Sequence, residues 1–358
     1  MLKNELTNLL KIDHPIIQAP MAGGITTSKL VAAVSNNGAL GMIGAGYLSP
    51  AQLREQIREI KGLTTNNFGV NLFVPNDFQL VEEEIEAANH LLQTFRSHLN
   101  IESTDTALPT TEKTMQAYKK QIKVIIEEMV PICSFTFGVP SIDIISQLKQ
   151  QGVILIGTAT TVVEAMAIEK LGMDAIVVQG SEAGGHRGNF ISSHEDSLIG
   201  LMSLIPQVTD HVSIPVIAAG GIMDGRGLMA SLDLGAKAVQ MGTAFLTCEE
   251  SGAHPVHKEA ILHAKDEDTI LTRAFSGKWA RGISNKFTNE MEKHEAKIPN
   301  FPVQNGLTQP IRKAAAAQHD KEYMSLWSGQ SPTLAKKETV EALIRRITDY
   351  VKGSEIPE

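Results

Sequence analysis

Cysteine is scarce in this sequence, and its scarcity excludes two classes of protein. The chain of 358 residues contains only Cys133 and Cys248. Two cysteines cannot form the disulfide framework of a small secreted scaffold, and no group of cysteines and histidines has the spacing of a zinc site. No histidine and third partner accompany Cys248 in a pattern typical of a nucleophilic catalytic set. We therefore expect both cysteines to be inert residues of a packed core, and we expect no metal site.

Positive charge is also in short supply, which limits the partners of the protein. Lysine and arginine number 32 against 40 aspartates and glutamates, a formal net charge of −8. A chain of this balance lacks the basic surface that attracts nucleic acids and anionic membranes. Its start, MLKNE, lacks the apolar core of a signal peptide, and glycines and Ser35-Asn36-Asn37 interrupt the uncharged run over residues 30–53. We expect a soluble cytoplasmic protein that binds neither nucleic acid nor membrane.

Short apolar runs alternate with helical stretches along most of the chain. Eight runs predict strands over residues 16–19, 39–43, 69–73, 132–137, 153–156, 175–178, 216–219 and 238–241. Several are apolar without alternation, as in parallel strands that are covered on both faces. The length fits one closed barrel of about 250 residues with an appendage. We therefore predict an α/β fold, a TIM-type (β/α)8 barrel with a smaller appended domain. A doubly wound open sheet is the alternative, because sequence alone does not show closure.

Signals for helix starts follow several of these strands. Ser49 precedes Pro50, which is the order of an N-cap and a first helical residue. Thr161 and Glu164 have the spacing of a capping box, in which two side chains satisfy each other's backbone N–H groups. Asp224 is suited to cap the helix that precedes the eighth strand. These signals predict where three of the barrel helices begin.

Two segments depart from the strand–helix repeat. Residues 78–130 form a long insertion after the third strand, with amphipathic helices predicted over 81–99 and 112–129. The segment 249–308 is rich in Lys, His and Glu with irregular spacing. We predict a barrel over residues 1–248 that includes the insertion, a small lobe over the barrel mouth at 249–308, and C-terminal helices returning to the barrel at 309–358. Those last helices are predicted over 311–327 and 337–351.

The exits of the seventh and eighth strands suggest a phosphate site. Gly220 and Gly221 follow the seventh strand, and Gly242 and Thr243 follow the eighth. Glycines at these two exits let backbone N–H groups approach an anion closely, and the threonine hydroxyl adds a donor. The alternative is that the glycines only make tight turns. The pattern does not say whether the phosphate belongs to a flavin, a sugar or a nucleotide.

His186 is the strongest candidate for a catalytic side chain. It lies after the sixth strand in the segment GSEAGGHRG, which is too rich in glycine for a packed helix or strand. An imidazole at the mouth of a barrel can act as an acid, a base or a hydrogen-bond donor near neutral pH. The neighbouring Glu182 and Arg187 are interpreted as solvated loop charges.

At these residues the chain resembles the nitronate monooxygenase family, formerly called 2-nitropropane dioxygenases, and in particular its bacterial class. The similar segments are QAPMAGG from Gln18, GVNLFVPN from Gly69, SFTFGVP from Ser134, GSEAGGHRG from Gly180, AAGGI from Ala218, QMGTAFL from Gln240 and, more weakly, SLWSGQ from Ser325. The resemblance spans nearly the whole chain, and the combination is more specific than any one glycine cluster.

The resemblance implies a flavoenzyme. Members of that family have a TIM-type barrel with a smaller second domain, bind FMN without a covalent link, and oxidise alkyl nitronates such as propionate 3-nitronate with O2 to a carbonyl compound and nitrite. By the resemblance, His186 is the active-site histidine. The implied cofactor-binding residues are Asn71, Gln179, Gly184, Gly221, Gln240, Met241, Gly242 and Thr243. A homo-oligomer is possible.

Two other functions remain open at this point. The first is an FMN- and NAD(P)H-dependent enoyl-acyl-carrier-protein reductase, because such enzymes resemble this chain in the barrel, the flavin corner and the loop around His186. The helical insertion and the longer C-terminal region favour the monooxygenase. The second is a protein that binds a flavin or another phosphate ligand without turnover, against which His186 argues.

Overall fold

The computed structural model describes residues 2–101 and 108–354. Its strands are β1 (Ile16–Gln18), β2 (Gly41–Gly44), β3 (Phe68–Phe73), β4 (Ile132–Thr136), β5 (Ile154–Ala159), β6 (Ala175–Gln179), β7 (Gly185–His186), β8 (Val216–Ala219), β9 (Ala238–Met241), β10 (Thr269–Thr272) and β11 (Ala280–Ile283). Its α-helices are α1 (Glu5–Leu10), α2 (Ser28–Asn36), α3 (Pro50–Leu63), α4 (Glu82–His98), α5 (Thr111–Glu127), α6 (Ile142–Gln150), α7 (Val162–Lys170), α8 (Leu201–Thr209), α9 (Gly225–Asp233), α10 (Thr243–Leu246), α11 (Pro255–His263), α12 (Lys286–Glu292), α13 (Val303–Ala317) and α14 (Val340–Ser354).

Eight parallel strands close into a barrel. They form one sheet in the order β1-β9-β8-β6-β5-β4-β3-β2. The two strands at the ends of this order also meet, because Leu40 pairs in parallel with Ile17. The Leu40 carbonyl accepts from the Gln18 N–H at 2.9 Å, and the Leu40 N–H donates to the Ile16 carbonyl at 2.9 Å. The predicted TIM-type barrel is therefore confirmed, and the open sheet is wrong.

The barrel has two apolar layers because alternate residues of each strand point to opposite sides. Inward residues such as Met42, Val177 and Ile217 form the interior, which Leu6 and Leu10 of α1 close at one end. That end is the amino-terminal one, since the Asn4 amide beside α1 bonds the carbonyl of Lys237, the residue before β9, at 2.7 Å. Plugging this end leaves the opposite end for a ligand site.

Helices cover the outer face of the barrel. Their apolar stripes pack on the outward residues of the strands, and α14 completes the ring by packing on α9 and α2. The predicted caps at Ser49 and Asp224 are confirmed, since each side chain accepts backbone N–H groups of the first turn. The capping box at Thr161 is only half formed. Thr161 accepts the Glu164 N–H at 3.3 Å, but the Glu164 carboxylate accepts the Thr160 N–H at 2.7 Å instead of that of Thr161.

The two helices of the insertion belong to different apolar cores. Tyr118, Ile122 and Ile125 of α5 pack into the outer layer of the barrel. In contrast, α4 packs against α13 in a second core, to which Leu92 and Ile311 both contribute. The connection at residues 102–107 lies outside the described part of the chain. The insertion thus supplies one helix, α5, to the barrel and the other, α4, to the second core.

The second core supports a lobe that contains a small antiparallel sheet. Its strand order is β10-β11-β7, so the predicted loop around His186 contributes a short strand that pairs His186 with Ala280. This corrects the expectation of a segment without strand structure. Helix α13 begins at Val303 and ends at Ala317, so the helix predicted over 311–327 has the wrong bounds. It ends there because His319 adopts a left-handed φ of 55° and Asp320 caps a new 3-10 turn. The proposed division into three segments stays a prediction.

Candidate active site

The carboxyl ends of the barrel strands surround a cavity of about 750 Å³, and the lobe forms its outer wall. The predicted site residues that line it are Asn71, Gln179, Gly184, His186, Gly221, Gln240, Gly242 and Thr243. Among the described residues, no aspartate or glutamate lines this cavity, whereas an arginine, a lysine and three histidines do. The interior is therefore suited to an anionic ligand.

Met241 is the exception among the predicted site residues. Its side chain is 1% exposed and packs in the outer layer between the barrel and its helices. Gln240 precedes it on β9 and faces the cavity, and side chains alternate along a strand. Any contribution of Met241 to a ligand would therefore come from its backbone.

The exits of β8 and β9 provide unpaired backbone donors at one end of the cavity. Gly220 and Gly221 have φ values of 136° and 66°, which glycine adopts readily and other residues rarely do. No acceptor among the described residues receives the N–H of Gly221 or of Gly242. The Thr243 hydroxyl accepts the Gly329 N–H at 2.9 Å, and its own proton is free to be donated. We call these donors the phosphate corner.

A late segment of the chain closes this corner. A Cβ on Gly184 would lie 2.5 Å from the Gly329 nitrogen and from the carbonyl carbon of Ser328, so only glycine fits there. The Gln330 N–H also donates to the Glu182 carbonyl at 3.0 Å. These contacts bring the weakly similar segment SLWSGQ onto the glycine loop that carries His186.

The imidazole of His186 lines the cavity among aromatic rings. The ring centroid of Trp327 is 5.4 Å away, and those of Phe137 and Phe301 are 5.9 Å and 6.1 Å away. Burial lowers the pKa of His186 to about 3, and the charges of Lys278 and Arg312 act in the same direction. The free imidazole is therefore neutral at neutral pH.

One hydrogen bond fixes the tautomer of His186. Its Nε2 lies 2.9 Å from the Ser276 hydroxyl, which donates its proton to the Lys278 carbonyl at 3.0 Å. Because that proton is already engaged, the hydroxyl accepts from Nε2–H, and Nδ1 keeps its lone pair. His186 can thus receive a proton or accept a hydrogen bond at Nδ1.

Two charged side chains hold the loop that carries His186. Arg187 is fully buried and donates to the carbonyls of Gly180 at 2.6 Å and Ser197 at 2.7 Å. Glu182 is partly exposed and accepts the Leu201 N–H at 2.8 Å. The interpretation of Arg187 as a solvated loop charge is therefore wrong. A guanidinium can satisfy several carbonyls at once, and no sequence signal distinguishes that use from a surface charge.

Two amides among the predicted residues have different surroundings. The Gln179 amide is engaged at both ends, since it donates to the His186 carbonyl at 3.0 Å and accepts the Gly188 N–H at 2.8 Å. Asn71 donates to the hydroxyls of Ser134 at 2.9 Å and Thr136 at 3.1 Å, which leaves its Oδ1 as an acceptor. Gln179 therefore positions the His186 loop, whereas Asn71 retains an atom for a ligand.

One face of α13 adds residues that the sequence analysis missed. Asn305, Gln309 and Arg312 lie one and two turns apart and line the cavity, as does Lys313. A helix predicted from residue 303 instead of 311 would have shown these polar residues on one face and the apolar residues of α13 on the opposite face. Tyr47 lines the cavity as well, and burial raises its pKa to about 12 although the charge of Arg312 opposes the shift.

Neither cysteine takes part in the site. Cys133 and Cys248 are free and buried, and burial raises the pKa of both thiols. The expectation of inert packing residues agrees with this burial. In the described part of the chain, no cluster of His, Cys, Asp and Glu is arranged to hold a metal ion. None of the described helices combines the length and apolar character needed to cross a bilayer.

Comparisons with known proteins agree with this geometry. The family model described as nitronate monooxygenase matches residues 3–349. A probable nitronate monooxygenase from Staphylococcus haemolyticus is 54% identical, covering 98% of this chain and 97% of its own length. A protein of the same description from Staphylococcus aureus strain Newman is 53% identical over the same shares.

Solved structures extend the likeness to the whole fold. Nitroalkane oxidase from Streptomyces ansochromogenes superposes with a TM-score of 0.89 at 38% identity, covering 98% of both chains. FabK from Thermotoga maritima superposes with a TM-score of 0.78 at 33% identity, covering 99% of this chain and 97% of the FabK chain. The match spans the barrel, the phosphate corner and the lobe that carries α13. The chain therefore belongs to the nitronate monooxygenase family, a family of flavin-dependent oxidoreductases.

Proposed function

We propose that this enzyme binds FMN and uses O2 to oxidise alkyl nitronates, of the propionate 3-nitronate type, to a carbonyl compound and nitrite. The observation that carries the proposal is the polarity of one cavity. The same cavity is lined by backbone donors that no described residue accepts, by a neutral histidine among aromatic rings, and by no acidic side chain of the described residues.

The cavity residues fit FMN at both the phosphate and the ring. The N–H groups of Gly221 and Gly242 and the Thr243 hydroxyl suit a terminal phosphate, since backbone N–H groups at glycine turns bind anions. The Asn71 Oδ1 and the Gln240 amide, which has no hydrogen bond to a described residue, suit the polar edge of a flavin ring. We propose these residues, with Gly184 shaping the loop, as the FMN site.

The chain's own residues would bind and orient the substrate. When bound, FMN would supply the electron transfer between substrate and O2. Arg312 and Lys313 would attract the anionic nitronate into the cavity, and the rings of Trp327 and Phe137 would exclude water from it. A nitronate beside His186 would raise the pKa of the imidazole, because a nearby negative charge favours the protonated form. His186 would then hold a proton at Nδ1 and donate it to the nitronate as a hydrogen bond.

A neutral nitroalkane would use the same histidine differently. Its α-proton must leave before or during oxidation, and the Nδ1 lone pair of His186 is available to receive it. A free pKa of about 3 makes the imidazole a weak base, so proton removal would be slow unless the developing anion is stabilised. We therefore propose nitronates, not neutral nitroalkanes, as the preferred substrates.

The main competing function is NAD(P)H-dependent enoyl-thioester reduction. The similarity to FabK at 33% identity shows that this fold is shared with a differently named protein, so both functions need one test. The flavin-loaded enzyme is mixed with a nitronate in air, and separately with NADH under nitrogen followed by a crotonyl thioester. We expect nitrite from the first mixture and slow flavin bleaching in the second. Rapid flavin reduction by NADH, with thioester reduction and no nitrite, would favour the reductase.

The location and assembly of the enzyme stay predictions. We propose the cytoplasm, where thiols such as Cys133 and Cys248 remain reduced. A homo-oligomer is possible. Size-exclusion chromatography with light scattering would measure the mass of the assembly.

A further inference from the structure

The cavity lining includes a cationic side chain, Arg312, on helix α13. Val303, Leu307 and Ile311 fix one face of this helix in the second core. Asn305 and Arg312 lie on the face that lines the cavity. Because the opposite face is anchored, the direction in which Arg312 enters the cavity is set by the fold and not by a flexible loop.

Most of the hydrogen-bonding capacity of Arg312 is unused. Its Nη2 donates to the Asn305 carbonyl at 2.8 Å and to the Asn305 Oδ1 at 2.9 Å. Its Nε is buried and has no hydrogen-bond partner among the described residues. A guanidinium has five N–H donors, and the two on Nη1 donate to none of the described residues, so they can meet a carboxylate in charge-assisted hydrogen bonds. The Asn305 contacts hold the guanidinium in position without neutralising it.

The charge of Arg312 also lacks a protein counter-ion. No ion pair joins it to a carboxylate of the described residues, and burial lowers its pKa. An arginine taken out of water without a partner is destabilising, and such a charge is retained where an anion binds beside it. The absence of acidic lining residues in the described part of the chain means that this anion comes from a ligand.

Tyr47 supplies a neutral donor in the same cavity lining as Arg312. Its side chain is 42% exposed, so its phenol, which is protonated at neutral pH, is available to a ligand. The Tyr47 ring packs edge-on against Phe73, with centroids 5.4 Å apart. Arg312 and His186 line the same cavity, so a single ligand in it can meet both side chains.

We propose that Arg312 and Tyr47 form a carboxylate subsite, which binds the remote carboxylate of a nitronate substrate while the nitronate lies at His186. The proposal rests on the proposed function and deepens it, since it assigns the preference for a carboxylate-bearing nitronate to named residues. Arg312 binds the carboxylate through charge-assisted hydrogen bonds from Nη1, and Tyr47 donates a further hydrogen bond. An alkyl nitronate of the same length without the carboxylate leaves the subsite unused.

A matched substrate pair tests this assignment in the FMN-loaded enzyme. Propionate 3-nitronate and propyl 1-nitronate have the same chain length, with a carboxylate in place of a methyl group. For Arg312→Met we expect kcat/KM for propionate 3-nitronate to fall roughly ten- to a hundredfold, mainly through KM, as for one lost charge-assisted interaction. Propyl 1-nitronate should change less than about threefold. Arg312→Lys should recover part of the loss, because lysine restores the positive charge but not the planar set of guanidinium donors.

A control and a binding measurement complete the design. Arg345→Met removes the same charge from an exposed position on α14 and should leave both substrates at the wild-type level. Succinate and the uncharged butyramide, titrated by the change in flavin absorbance, report binding without turnover. We expect Arg312→Met to weaken succinate at least tenfold and to leave butyramide unchanged.

The possible results distinguish a failure of the carboxylate subsite from a failure of the proposed nitronate oxidation. An equal loss for both nitronates would place Arg312 at the nitronate itself and overturn the proposal. Wild-type kinetics with propionate 3-nitronate in Arg312→Met would also overturn it. If the wild type made no nitrite from either nitronate, the proposed function would fail, and the succinate and butyramide titrations would still decide whether Arg312 binds a carboxylate.

Discussion

The buried neutral state of His186 predicts a specific acid sensitivity. Burial, Lys278 and Arg312 together lower its pKa to about 3, whereas an unfolded histidine has a pKa of 6.5. Below pH 6.5 the unfolded chain takes up a proton at this site and the folded chain does not. The free energy of unfolding therefore falls as the pH drops from about 6.5 toward about 3, and it is unaffected by this group above that range.

The size of this fall in the free energy of unfolding follows from the pH interval between the unfolded and the folded pKa of His186. Each pH unit within it costs about 1.4 kcal/mol, so the drop from pH 6.5 to pH 5.0 costs about 2 kcal/mol. His186→Asn cannot be protonated and removes this contribution. His257 remains in the variant, with its pKa lowered to about 4 by burial, and continues to favour unfolding in acid. Between pH 7 and pH 5, the free energy of unfolding should therefore fall in the variant too, but by less than in the wild type.

Urea unfolding at pH 7.0 and pH 5.0, with saturating FMN in every sample, measures the difference. His211→Asn on the exposed end of α8 is the matched control and should reproduce the wild-type loss. If the free energy of unfolding fell by the same amount in the wild type and in His186→Asn between pH 7.0 and pH 5.0, the claim that the imidazole is held neutral would be refuted. A larger fall in the variant would refute it as well.

Three further predictions address the cofactor, the substrate and the loop. Gly221→Val forces a β-branched residue into φ 66°, at a cost of roughly 1–2 kcal/mol, and should yield folded protein with little FMN in released-flavin assays. Full FMN occupancy would remove the phosphate assignment. His186→Asn should lower any activity on a neutral nitroalkane by roughly 10²–10⁴-fold and retain substantial nitronate oxidation, in parallel nitrite assays. Equal losses on the two forms, with FMN retained, would contradict the role as a base. Arg187→Met leaves buried carbonyls without their donor and should lower the free energy of unfolding by about 1–3 kcal/mol for each carbonyl that stays unsatisfied, in urea titrations. An unchanged unfolding midpoint would show that the loop does not depend on it.

The barrel could be predicted because each of its strands is a local pattern. Runs such as residues 216–219 and 238–241 are apolar, end in glycine and are followed by helix signals, and all of this is visible within a short window. The predicted site residues follow from the same logic, since strand exits meet at one end of a barrel. Met241 shows the limit of that logic, because a motif does not say which of its residues points outward.

The residues that the sequence did not reveal depend on contacts outside the local strand and helix patterns. Arg187 is buried because the carbonyls of Gly180 and Ser197, 7 and 10 residues away in the chain, converge on it. Arg312 faces the cavity because α13 packs against α4, which precedes it by some 200 residues in the chain. Neither burial nor direction can be inferred from the residues on either side. The irregular lobe, with its short strands, offered no periodic pattern from which to place them.

The barrel and the lobe divide the work of the site. Strand exits supply the phosphate corner and Asn71, all of which would contact a cofactor. The lobe supplies Ser276, which fixes the tautomer of His186, and the α13 face that carries Arg312. Substitutions in the second core should therefore alter substrate selection before they alter flavin binding, since they move α13 without moving β8 or β9. A barrel of this kind can keep one cofactor site while changes in the lobe change the substrate.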